Sequence, residues 1–153
     1  MKEIDAQKAA RVWQRVQSEA GTGRSQGSGQ LPALIMEQRE LAAMYMQLAQ
    51  QLAGKKEAAA VQRLSRETQA HMACLKGICL LVTGTVPENR VSGTQKMAAD
   101  AALRRCYGKA LRLLREYEAR CEDAEYGPVF ERLAQQTREH CCIILELLGK
   151  LGK

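Results

Sequence analysis

The stretch Leu133–Leu147, L-A-Q-Q-T-R-E-H-C-C-I-I-L-E-L, decides how the chain is read. Leu133, Thr137, His140, Ile144 and Leu147 recur at steps of four, three, four and three, which lays them in one stripe along a helix. A histidine stands at the middle of that stripe, where a helix bundle places core residues. Leu64, Thr68, His71, Leu75 and Ile78 repeat the pattern upstream, and 69 positions separate both Leu64 from Leu133 and His71 from His140. The chain has 2 histidines, and both hold this place. Such a match predicts a duplicated helical unit with a polar centre.

Reading outward, Pro32 suits the first turn of a helix running to about Ala53. Gly54 and two lysines end it, and a second helix follows from about Glu57 to Leu81. Thr94 is the candidate cap of a third helix reaching about Cys121, and Pro128 starts a fourth that ends near Gly149. Leu34, Glu37, Leu41, Met44 and Leu48 form the expected inner stripe of the first helix. Leu103, Cys106, Ala110, Leu113 and Tyr117 stand at the same 69-residue offset in the third. Short breaks inside each half make two antiparallel hairpins. Val82–Gly93, with Gly84, Pro87, Asn89 and Gly93, cannot be helical throughout. Its dozen residues reach about 40 Å when extended, enough to cross the length of a bundle. The expected fold is all-α: a four-helix bundle over residues 31–149, made of two hairpins joined by a long crossover.

Ahead of it, residues 1–20 predict a short amphipathic helix with Asp5 as cap and Ala9, Val12, Trp13 and Val16 on one face. Residues 21–30 read as a Gly- and Ser-rich linker. Its glycines lack the strand and the Gly-Lys-Ser/Thr ending of a phosphate loop. The amphipathic helix is expected to dock on its own bundle, on a second copy or on another protein.

Composition supports helices and narrows the function. Of the 153 residues 46% are hydrophobic but 4% aromatic, and alternating β-branched runs are nearly absent. The net charge of +6 is dispersed, as in Arg112/Glu116 and Arg115/Glu118, with no aromatic residues among the basic ones. That pattern predicts solvated helix faces and no nucleic-acid partner. No apolar run is long enough to span a bilayer. Met1–Ala20 lacks the apolar core of an export signal, so a cytoplasmic protein with reduced thiols is expected. The 6 cysteines include no C-x-x-C pair, and Cys74, Cys79, Cys141 and Cys142 read as small apolar residues.

The chemistry, if any, lies in the polar residues of the inner stripes. The first hairpin offers Glu37, Thr68 and His71, and the second offers Cys106, Thr137 and His140. Glu40 lies one turn from Glu37, and Glu67 four residues before His71, so both are further candidate carboxylates.

Over about Leu31–Leu148, most clearly in L-A-Q-Q-T-R-E-H, the Tyr45-containing helix and E-Y-G-P-V-F, the chain resembles the ferritin-like, rubrerythrin-like proteins of bacteria. The resemblance implies two metal ions, usually iron, between the hairpins. Their ligands would be one Glu from the first helix of each hairpin and a Glu-x-x-His from the second. Glu37 matches the first carboxylate, and His71 and His140 match the imidazoles. Cys106 stands in place of the other single Glu, and Thr68 and Thr137 replace both carboxylates of the Glu-x-x-His motifs. Two divalent cations in a low-dielectric core need several negative ligands, which this set does not supply.

Three readings stay open. In the first, a depleted site holds a single transition metal, iron or zinc, at Glu37, His71, Cys106 and His140, a mixed set that suits a tetrahedral ion. In the second, the bundle is a non-catalytic interaction or assembly module, and its histidines are hydrogen-bonded core residues. The third, a di-iron peroxidase or oxidase, comes last because half of the expected ligands are missing. No reaction or substrate is named by the sequence.

Overall fold

The computed structural model describes residues 30–87 and 96–151. The expected N-terminal helix over 1–20, the linker up to residue 29, and residues 88–95 of the crossover, Thr94 included, lie outside the described residues. All regular structure among the described residues is helical: α1 Gln30–Gln51, α2 Ala58–Thr83, α3 Ala99–Ala119 and α4 Gly127–Leu151.

The breaks after α1 and α2 and between α3 and α4 have local causes. Beyond α1 the chain turns at Gly54, whose φ of 86° suits glycine. α2 ends at Gly84 in the left-handed region, with φ of 79°, and the Gly84 N–H donates to Leu80 O at 2.9 Å. Between α3 and α4, the Asp123 carboxylate accepts from the backbone N–H groups of Glu125 and Tyr126 at 2.8 and 2.9 Å. Gly127 is required there by close approach, because a Cβ would collide with the Cys121 carbonyl oxygen.

The helices pack as a four-helix bundle in which the backbone of α1 lies beside those of α2 and α3, that of α4 lies beside those of α3 and α2, and the backbones of the diagonal pairs stay apart. Contacts between hairpins fix the directions. Glu40 meets Lys109 and Gln51 meets Met97, so α1 and α3 are antiparallel. Glu67 meets His140 and His71 meets Gln136, so α2 and α4 are antiparallel as well. Thr83 and Ala99 therefore lie at opposite ends of the bundle. The core is largely aliphatic, with Ile35, Leu48, Leu64, Leu75, Leu103 and Ile144 among its fully buried side chains. Near the middle it becomes polar, and that layer holds both histidines. No helix among the described residues is long and apolar enough to cross a membrane.

Candidate functional site

His71 on α2 and His140 on α4 are both buried, with ring centroids 5.3 Å apart and planes 18° from parallel. Their hydrogen bonds cross between the helices. His71 Nε2 meets Gln136 Oε1 at 2.6 Å, and His140 Nε2 meets Glu67 Oε1 at 2.8 Å. Glu67 and Gln136 each precede a histidine by four residues, and 69 positions separate them, as they do the histidines. Each histidine thus bonds the side chain one turn ahead of the other histidine, as a two-fold axis between the rings requires. Gln136 carried no signal of its own in the sequence beyond that shared offset.

The protons follow from the acceptors. Amide and carboxylate oxygens accept, so each Nε2 carries the hydrogen, and a neutral ring keeps its lone pair at Nδ1. Burial pulls both histidines below their ordinary pKa. The bond to Gln136 opposes this for His71, and the bond to Glu67 opposes it for His140, without reversing either shift. Both rings are therefore neutral at pH 7. For Glu67 burial acts upward, but hydrogen bonds from Arg63, at 2.8 Å, and from His140 outweigh it and hold the carboxyl below its usual range. Glu67 is an anion already engaged by two donors.

The other expected ligands are arranged less favourably for a metal. Thr137 Oγ1 donates to Leu133 O at 2.6 Å, the back-bond that lets threonine sit inside a helix. Thr68 Oγ1 is buried and has no partner among the described residues. Cys106 is fully buried, and burial pushes its thiol up to about 12 against the lowering influence of Lys109 and Arg105. It stays protonated at pH 7.

Glu37 departs from the expected inward stripe. Its carboxylate meets Arg112 at 3.2 Å and Lys109 at 3.4 Å, and Glu40 meets the same lysine at 2.8 Å. The Glu37 side chain stays 26% exposed in this seam between α1 and α3. A carboxylate held there keeps part of its hydration, which burial among apolar residues would strip away. The neighbouring Gln38, 1% exposed, takes the core position and donates from Nε2 to the Tyr117 hydroxyl. A signal for it existed: Leu34, Gln38, Leu41, Tyr45 and Leu48 follow the same four-three-four-three spacing as the histidine stripes.

Gln38 also reveals the symmetry of the first helices. Tyr45 and Tyr117 are both fully buried and lie 72 positions apart, and the same step takes Gln38 to Ala110. The mirror of the Gln38–Tyr117 bond would join Ala110 to Tyr45. Alanine offers nothing, and the Tyr45 hydroxyl has no partner among the described residues. Burial drives the pKa of Tyr45 well up, helped by nearby Cys106 and Cys141, so the group remains a phenol.

Thus the structure brings His71, His140 and Glu67 together, and ties Glu37 and Glu40 to cations on α3. Among the described residues no three His, Cys, Asp or Glu side chains are grouped as a metal site requires. No protein family, curated protein or solved structure matches the chain.

Proposed function

We propose that the chain is a ferritin-like, rubrerythrin-like bundle whose two-metal centre has been replaced by a metal-free, hydrogen-bonded polar layer, and that it serves as a non-catalytic interaction or assembly module. The observation that carries this reading is the position of Gln38. It occupies the core place on α1, while Glu37 is paired with Lys109 and Arg112. With Ala110 in the equivalent place on α3, neither first helix supplies a carboxylate to the layer.

The donor chemistry points the same way. Two neutral imidazoles, a protonated thiol and a self-bonded threonine cannot neutralise two divalent ions. Peroxidase or oxidase chemistry through a di-iron centre does not fit these residues. The layer instead holds the hairpins in one register. Its crossed bonds, His71 to Gln136 and His140 to Glu67, form only when α2 and α4 meet at one axial position. A cytoplasmic location, with reduced thiols and no nucleic-acid partner, belongs to the same proposal.

A second reading keeps one transition metal, iron or zinc, on His71 and His140. It is favoured by the fixed Nε2–H groups, because proteins orient ligating histidines through such bonds to a carboxylate or carbonyl. Elemental analysis of protein made without chelator or affinity nickel separates the two. The metal-free reading expects less than about a tenth of an equivalent, and no rise in melting temperature when iron(II) or zinc is added. Near-stoichiometric metal that disappears in His71→Ala and His140→Ala overturns it in favour of the second.

A further inference from the structure

The described residues leave five large apolar side chains exposed, and three of them gather at the end of α2: Leu80 at 51%, Leu81 at 39% and Val86 at 42%. Met46 on α1 and Leu145 on α4 stand apart from this group. Along the same outward side of α2, Ala73 and Gly77 are exposed, and a Cβ on Gly77 would meet nothing within 4 Å. Lys76 is the one Asp, Glu, Lys or Arg between Ala70 and Gly84. This face is open, smooth and apolar, the kind a soluble domain covers.

The chain itself places a candidate cover beside it. Because α1 and α2 are antiparallel, Gln30 lies at the same end of the bundle as Thr83. Gln30, the first residue of α1, is therefore at the end of the bundle that carries Leu80, Leu81 and Val86. The sequence ahead of Gln30 contains one apolar stripe at helical spacing, Ala9, Val12, Trp13 and Val16, followed by the Gly- and Ser-rich residues 21–29. Extended, those linking residues reach about 30 Å. The face from Ala70 to Gly84 is roughly 21 Å long at helical rise, so it is within range. We propose that Asp5–Glu19 is the segment that covers this face, with Val12, Trp13 and Val16 seated on Leu80, Leu81 and Val86.

The chain has 1 tryptophan, so the fluorescence of the full-length protein reports this contact directly. Trp13 is expected to emit at shorter wavelength, and to be quenched less by acrylamide, than in a free peptide of residues 1–29. Replacing Leu80→Glu and Leu81→Glu together moves both readings to those of the peptide, with the helical circular dichroism unchanged. Val86→Glu, beyond the last turn of α2, shifts the emission in the same direction and serves if the double variant does not fold. The proposal is overturned by native emission equal to that of the peptide, or by emission unmoved in the folded variants. A blue shift that vanishes on dilution also overturns it, because the occupant is then a second copy.

Discussion

At the scale of single residues, the two fully buried tyrosines, Tyr45 and Tyr117, make opposite predictions. Tyr117→Phe removes the hydroxyl that accepts from Gln38, whose Oε1 already has no partner among the described residues. The buried amide is then left wholly unsatisfied, and the loss is about 1–3 kcal/mol in urea or guanidinium unfolding. Tyr45→Phe removes a buried hydroxyl that bonds nothing among the described residues, so stability stays level or rises. Glu37→Gln gives a third contrast. It weakens a half-exposed pair seam and costs less than about 1 kcal/mol, with no effect on the histidine layer. A loss of several kcal/mol on Glu37→Gln would mean that this carboxylate does work in the core after all.

At the scale of the helices, the α2–α4 seam sets the response to acid. His71 and His140 have folded pKa values below the ordinary 6.5, with burial the leading cause in both. As pH falls below 6.5 the unfolded chain takes up protons that the folded chain still refuses. Stability is therefore full above 6.5 and drops as pH falls through the folded values. Glu67, held below its usual 4.5, acts in the same direction at lower pH, its contribution present above 4.5 and lost beneath it. Melting curves across this range should show an acid-side decline that is reduced when both histidines become glutamine. This seam was half legible in the sequence. The stripes of α2 and α4 could be read because Leu, Thr, His and Leu or Ile repeat at one offset. α1 was harder, since apolar residues such as Ile35, Ala42 and Met44 flank the central stripe and widen its buried face. Glu37 and Gln38 differ by one residue, about 100° of rotation, and local spacing alone tolerates either as the inward position. What decides between them is Lys109 and Arg112 on α3, a pairing of distant residues that no local pattern records.

At the scale of the whole molecule, the patterns of the two hairpins correspond with a difference in phase. The second helices match at 69 positions and the first helices at 72, so the path from Tyr117 to His140 is three residues shorter than that from Tyr45 to His71. This correspondence converts the proposed descent from a two-metal centre into a construction. The layer positions that would have carried carboxylates are Gln38 and Ala110 on the first helices and Thr68 and Thr137 on the second, beside the retained His71 and His140. Placing glutamate at all four buries four carboxylates that no cation in the layer balances, and the metal-free variant should be destabilised or unfolded at neutral pH. Added iron(II), cobalt(II) or zinc then supplies the missing charge, and the melting temperature should rise steeply with metal, because only the folded state assembles the site. The unaltered protein, given the same metals, should not respond. The pairing matters as much as the number of charges. A control that keeps Gln38 and relies on the native Glu37, with only Ala110, Thr68 and Thr137 changed to glutamate, should gain less from metal, since Glu37 remains engaged with Lys109 and Arg112. Equal rescue of both variants would return Glu37 to the ligand set. A four-glutamate variant that stays unfolded at every metal concentration would tell against the descent itself.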